Sequence, residues 1–554
     1  MIILPSKTLL SSLVVAALLT GCGDSKESAN PVVAEFSPVE GTIAQLHAAL
    51  TAGTTSCEAV VQQYIDRIAA YDRTGPTLNS VISVSDEALT TAREQDEALA
   101  AGESMQPLQC VTVLLKDNID TADMPTSAGG LALQHSQPED DAYIVKRLRE
   151  QGAIILGKAN LDEFAFGYQG SSSVGGQVKN AYDQTKGPGG SSAGTGAAIA
   201  ASFAMVGLGT DTGGSIRVPS SLEGLVGLRP SLRLVSQDGV VPLAHTQDTA
   251  GPMCRTVEDC ALVMDALVGY DSASDSGQRN SYEYDAPLVA SAYEYQQVTG
   301  VPASYASGLS ATALKGAHIG VVRALFGDGE SEENQAVQAV LDSALAKMTA
   351  AGALVEEVTI PNLDTILSTY KSVSRYEFCN DLTSYLSAWS NELDGHYTSF
   401  QAVADSLEYE TRNQSTFTFY GSFCGDQSAN TDYQLNLIER PIVVRGALMQ
   451  ALENLSEAGV SQGEPFDALV YPSILGLAPA LGSSPTSGSN NRLSPFSGFP
   501  ALTLPAGMAD TDPALPVGIE LLGREFDEQT LLNLAYGYEQ VAQPRQAPTF
   551  TPAL

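Results

Sequence analysis

Residues 187–231 read GPGGSSAGTGAAIAASFAMVGLGTDTGGSIRVPSSLEGLVGLRPS. Two turns of small residues, GPGGSSAG and GTDTGGSIRVP, bracket an alanine-rich run and an apolar run. Glycine is placed where the backbone must approach something closely or take a positive φ. A helix and a strand held between two such turns therefore predict a site built from main-chain N–H groups. Each turn also offers a serine, Ser191 in the first and Ser215 in the second. Either turn alone reads as an ordinary connector. With a lone lysine ending an upstream strand (VTVLLK, Lys116), the pair reads as chemistry.

Upstream of this stretch, VTVLLK is followed by a helix (AYIVKRLREQG) and a strand (AIILGK). That alternation predicts an α/β sheet covered by helices. Gly152 to Lys158 matches the spacing of a phosphate-binding loop, but Ala159 stands where Ser or Thr is needed and the interior reads as strand, so nucleotide binding is rejected. Three helices are expected before the sheet, over 41–52, 56–71 and 85–101, the second with Thr55 and Glu58 in capping-box spacing. Downstream, Thr256 is expected to cap a helix, and 271–310 to form a polar connection. HIGVVR reads as a strand, 331–351 as an amphipathic helix closed by Gly352, and ALVEEVTI, DALVYPS and PALTLPAG as further strands. A helix over 527–542 ends the chain. Aromatic residues crowd 365–435, including Tyr376, Phe378, Tyr385, Trp389, Phe417 and Tyr420; they either line a substrate entrance or pack the fold.

The 554 residues carry 44% apolar and 17% charged side chains, which suits a globular chain with a sizeable core, and no linker suggests more than a single domain. The formal net charge of −36 comes without a basic cluster. Such a surface repels phosphate backbones, so no nucleic-acid partner is expected.

The central stretch resembles the amidase signature of serine hydrolases that use a Ser-Ser-Lys triad. The resemblance extends upstream to VLLKDNID and LGKANLDEFAFG. Downstream it takes in VVPLAHTQDTAGPMCRTVEDCALVMDALVG, SGFPALTLPAG and LPVGIELLGREFDEQTLLNLAYGYEQ. It spans about 41–554, with a core signature at about 111–260 and variable segments at about 271–310 and 365–435. It implies an α/β fold in which helices cover both faces of a large mixed central sheet, and an amidase that hydrolyses a carboxylic or peptide amide through an acyl-serine, closest to the bacterial peptide-amidase branch. Two other readings stand beside it: a subunit of a tRNA-dependent amidotransferase, and a surface lipoprotein that keeps the fold without catalysis. No cofactor or metal is implied.

Amide hydrolysis needs a nucleophile, a base that can return the proton to the leaving amine, and donors for the tetrahedral oxyanion. The chain has only five histidines. Four lie away from the glycine turns in sequence, and His245 reads as a loop residue or a neighbour of the site. A lysine can serve as base only when neutral. Moving it from about 10.4 to near 7 costs roughly 4–5 kcal/mol, which a desolvated position can impose. The resemblance assigns Ser215 as nucleophile, Lys116 as ultimate base and Ser191 as the relay between them. It places a cis peptide before the relay serine, where Gly190 stands. It builds the oxyanion hole from the amides of Thr212, Gly213, Gly214 and Ser215, with Asp211 and Arg217 holding the loop, through an ion pair, and Ser192 assisting. Ala193 replaces a more usual glycine, and FAFGYQG departs from the family at the acyl-binding wall, which leaves the substrate open.

The first 22 residues, MIILPSKTLLSSLVVAALLTGC, place one lysine before an apolar run too short to span a membrane. Residues 1–21 therefore read as a secretory signal. Leu19-Thr20-Gly21-Cys22 resembles a bacterial lipobox, in which Cys22 is acylated, and 22–40 forms a polar tether. The expected protein is exported and held by lipid on a bacterial membrane, facing the periplasm, its oligomeric state open. Of the remaining cysteines, Cys57, Cys110, Cys254 and Cys260 sit in apolar helix or strand contexts and are expected as buried thiols. Cys379 and Cys424 lie in the segment least like the family and are expected to pair.

Overall fold

The computed structural model describes residues 35–272, 289–388, 397–456, 458–488 and 490–554. Residues 1–21, expected as a secretory signal, and Cys22, Trp389 and His396 lie outside them. Eleven strands among these residues join one sheet. They are β1 (Val81–Val84), β2 (Thr112–Lys116), β3 (Ile154–Ala159), β4 (Val206–Asp211), β5 (Val226–Arg229), β6 (Thr249–Cys254), β7 (His318–Val321), β8 (Leu354–Glu357), β9 (Ala468–Pro472), β10 (Ala501–Ala509) and β11 (Leu515–Leu522). Their order across the sheet is β1-β3-β2-β4-β6-β5-β10-β11-β9-β7-β8. β2 runs parallel to β3 and β4, whereas β6 is antiparallel to β4, so the sheet is mixed as expected. Every residue of β2 to β6, β9 and β11 is buried. Strands buried at every position have both faces covered, which is why they read as near-continuous apolar runs.

The covering helices used below are α1 (Ile43–Ala52), α2 (Cys57–Tyr71), α3 (Ala88–Ala100), α4 (Tyr143–Glu150), α5 (Ala193–Ala200), α6 (Arg217–Leu222), α7 (Val257–Leu267), α8 (Glu332–Ala350), α9 (Ser374–Ser387), α10 (Gln414–Gly421) and α11 (Glu528–Ala542). Local chemistry sets their ends. Thr42 and Gln45 form a reciprocal capping box at α1, and Thr256 accepts from the Asp259 amide at α7. At α2 the cap is Ser56, which accepts from Ala59 N–H, and not Thr55. Residues 81–84, just before the third expected helix, extend as edge strand β1 against β3. Within 271–310 the chain adds a helix, Ala292–Thr299, where a plain connection is expected.

α5 is buried at all eight positions, and its small residues are what allow this. A Cβ on Gly194 would stand 2.3 Å from Ser80 O and 2.4 Å from Asn160 N. The helix thus lies almost against the backbone leaving β3. Gly152 to Lys158 runs into β3, and Lys158 is buried with Nζ on Ile119 O (2.6 Å) and Thr126 Oγ1 (2.9 Å), consistent with rejecting a phosphate loop.

Aromatic side chains of the 365–435 segment form a second core. Phe378 of α9 and Phe417 of α10 meet Phe164 and Phe166 edge-on, with ring centroids 4.9–6.3 Å apart. The two cysteines of this region pair as expected, Cys379 with Cys424. Cys254 and Cys260 are buried and unpaired. Cys57 and Cys110 depart from the expectation of free thiols: they form a disulfide with Cα atoms 5.1 Å apart. Cys57 opens α2 and Cys110 precedes β2; only the docking of α2 and α3 beside the start of the strand brings them together. No helix among the described residues is long and apolar enough to cross a membrane.

Candidate active site

Because β2, β3 and β4 are parallel, their carboxyl ends emerge at one edge of the sheet, where α/β folds place their sites. Lys116 ends β2, Asp211 ends β4, and Asn160 to Asp162 leave β3. Thr249, the first residue of antiparallel β6, pairs with Asp211, so the loop 243–248 arrives at the same edge.

Lys116 is fully buried. Its Nζ lies 2.7 Å from Ser191 Oγ, 2.8 Å from Thr210 Oγ1 and 3.5 Å from Thr210 O. Burial drives the amine down from its ordinary 10.5 to about 7, against the pull of Asp162, Asp211 and Asp248. A neutral amine has two hydrogens and one lone pair. With Thr210 taking the hydrogens, the lone pair faces the Ser191 hydroxyl.

The peptide bond from Gly190 to Ser191 is cis. Asp162 N–H donates to Ser191 O at 3.0 Å, and a Cβ on Gly190 would stand 1.9 Å from Asp162 Oδ2. Only glycine fits there without moving the relay serine. We expect Gly190→Ala to lower kcat by about 100-fold through displacement of Ser191, read by steady-state kinetics beside a thermal melt. The Ser192 hydroxyl bonds the strand and not the triad hydroxyls: its Oγ donates to Thr210 O and accepts from Thr210 N–H, both at 3.3 Å.

Ser215 is 5% exposed, and its carbonyl accepts from Ser192 N–H at 3.2 Å, so the two turns are stitched together. Asp211 shapes the second turn by accepting from Gly214 N–H (2.7 Å) and Ile216 N–H (3.2 Å). That commits the Gly214 donor to the turn. The amides of Thr212, Gly213 and Ser215 have no acceptor among the described residues. Arg217 pairs with Asp211 at 3.1 Å as expected, and also with Glu520 at 2.6 Å, all three fully buried. Burial alone would raise the Asp211 carboxyl, but the guanidiniums of Arg217 and Arg229 outweigh it and hold it down at about 2. Removing one partner strands buried charge, so Arg217→Met should lower stability by about 3–5 kcal/mol in urea unfolding.

Other residues of the site are ones to which the sequence assigns no individual role. Gln247 Nε2 donates to Thr212 O (2.6 Å), while Thr212 Oγ1 donates to Asp248 Oδ1 (2.5 Å). Tyr168, from the departing FAFGYQG wall, donates to Gly213 O at 2.8 Å and receives Asn491 Nδ2 at 3.3 Å. His245 stands on the same loop as Gln247, not among the triad. Its Nδ1 lies 2.8 Å from Asp381 of α9, fastening loop 243–248 to that helix.

A buried amine on one serine, a second serine on the facing turn and a ring of free amides are the parts of an acyl-transfer site. The Amidase family model matches residues 59–532. The chain belongs to the amidase family. Among solved structures, native peptide amidase from Stenotrophomonas maltophilia superposes with a TM-score of 0.77 at 33% identity, covering 93% of this chain and 99% of that one. An amidase family protein from Bacillus anthracis gives 0.75 at 30% identity, covering 92% of each. Among curated relatives, a Glutamyl-tRNA(Gln) amidotransferase subunit from Moorella thermoacetica is 33% identical over 498 residues, 88% of this chain and 93% of that protein. The fold is that of the amidase family.

Proposed function

We propose that this amidase is an exported enzyme, lipid-anchored through Cys22 and facing the periplasm, that hydrolyses a small or peptide carboxamide. Ser215 Oγ attacks the carbonyl carbon as its proton passes to Ser191 and the Ser191 proton passes to Lys116. The amides of Thr212, Gly213 and Ser215 hold the oxyanion. The C–N bond then breaks, the leaving nitrogen takes the proton back through Ser191, and an ester on Ser215 remains. Water attacks that ester by the same relay and frees the acid. The observation that carries this reading is the 2.7 Å contact between a fully buried Lys116 amine and Ser191. The likeness to peptide amidase favours a C-terminal peptide amide as substrate.

A second reading, a subunit of an amidotransferase, draws on curated relatives that are Glutamyl-tRNA(Gln) amidotransferase subunits with 30–33% identity. The net charge of −36 and the secretory reading of the N-terminus favour the first. The purified full chain, given aliphatic, aromatic and C-terminal peptide amides, should release ammonia or amine unaided. Turnover only after partner subunits are added would establish the second reading. Silence in both settings would remove the enzyme.

A further inference from the structure

Asp162 follows β3 and is fully buried. Its Oδ1 accepts from Gln169 N–H (2.8 Å) and Gly170 N–H (3.0 Å). Its Oδ2 has no hydrogen-bond partner among the described residues and fills the space where Gly190 lacks a Cβ. A buried carboxylate oxygen left so is costly and needs a reason. Three carboxylates act on Lys116: those of Asp162, Asp211 and Asp248. Asp211 is matched by Arg217 and Arg229, and Asp248 by the Thr212 hydroxyl and the amides of Leu243 and Ala244. Among the described residues Asp162 has one cationic neighbour, Arg412 Nη2 at 3.7 Å, too far for a hydrogen bond, whereas Arg217 reaches Asp211 at 3.1 Å. Arg412 belongs to the variable segment, and it also donates to Ser171 O (2.9 Å), Gln169 Oε1 and Glu410 Oε2.

We propose that Asp162 is a positioning residue of the proton relay: it frames the turn that holds Ser191 and supplies the counter-charge Lys116 meets when protonated, while Arg412 secures that carboxylate from the variable segment. The proposal rests on Lys116 being the base. During acylation Lys116 passes from neutral amine to ammonium in a dry pocket. A carboxylate with no cation hydrogen-bonded to it stabilises that ammonium, and the same carboxylate makes the resting amine easier to protonate. Burial pushes Asp162 itself up to about 7, so its charge develops over the range in which Lys116 loses its own.

The test is the rate at which a fluorophosphonate labels the detergent-solubilised full chain, followed on both sides of pH 7 for wild type, Asp162→Asn and Arg412→Gln. Asp162→Asn should move the midpoint of the acid limb down by about one pH unit and lower the plateau about tenfold, since the base is weaker. Arg412→Gln should move the midpoint the same way by less, because the carboxylate then keeps its proton to higher pH. A folded Asp162→Asn chain with the wild-type midpoint overturns the proposal. If Asp162→Asn does not fold, an unshifted Arg412→Gln overturns it. Wild-type labelling at a residue other than Ser215 would instead refute the function on which the proposal rests.

Discussion

Ser215→Ala is expected to lower kcat by about 10⁶-fold and to end fluorophosphonate labelling while leaving the melt within a few degrees of wild type. The first half follows from chemistry: when a nucleophile that works as a unit with its base is removed, the remaining members of the unit contribute almost nothing, and only binding and the oxyanion donors persist. The second half follows from the structure. The shape of the turn is set by Asp211 on the Gly214 and Ile216 amides, by Ser192 N–H on the Ser215 carbonyl, and by Tyr168 on the Gly213 carbonyl, none of which uses the Ser215 hydroxyl. Alanine leaves all of these in place. Mass-spectrometric location of the adduct sharpens the outcome. An adduct that persists on Ser191 or Ser192 in the variant would transfer the nucleophile to the first turn, and Ser215 would become scaffold.

What can be read in the sequence is what is decided locally. The apolar runs of β2 to β4 and the alanine-rich run of α5 announce buried elements by composition alone. The glycines at 190 and 214 announce close approach, and each would place a Cβ within 2.5 Å of a side-chain atom, Asp162 Oδ2 and Asn491 Nδ2 respectively. Lys116 can be placed because a charged residue ending an apolar strand has few ordinary reasons to be there. The residues that escape assignment act across long separations. Gln247 and Tyr168 grip the 212–213 backbone, and Asn491 holds the Tyr168 hydroxyl, through polar atoms whose direction depends on how distant loops dock, and nothing in the local pattern encodes that. The Cys57–Cys110 bridge escapes for the same reason: each cysteine sits in an apolar context that suits a thiol equally well. β1 is hidden because four residues of edge strand beside a helix carry too short an alternation to register. The Gly214 amide counts among the oxyanion donors on sequence grounds because the chain shows that a donor is present, not that a carboxylate three residues earlier has already engaged it.

Lys116→Met is the sharpest probe of the base, and its two readouts should move in opposite directions. Methionine is unbranched, apolar and of similar length, so it can occupy the buried channel. It offers Ser191 no lone pair of comparable basicity, and kcat should fall by about 10⁴-fold, the upper range for loss of a positioned general base. Wild-type activity should be present above pH 7 and disappear as pH falls through about 7, because the amine works only when neutral; the variant's residual rate should lack that limb. Stability carries the other sign. The folded state holds Lys116 near 7 whereas the unfolded chain holds it at 10.5, so between those values the unfolded chain binds a proton that the folded one refuses. The wild type therefore loses stability as pH falls from about 10.5 toward 7, by up to roughly 4–5 kcal/mol, and the difference stays constant below that. Methionine removes this cost and forfeits the contacts to Ser191 and Thr210, each of which contributes on the order of 1 kcal/mol. The variant should consequently melt higher than wild type at pH 7, and the gap should shrink or reverse near pH 10. A variant that is inactive and also less stable at neutral pH would mean that Lys116 is charged in the resting protein. The proton path from Ser215 through Ser191 would then have no acceptor.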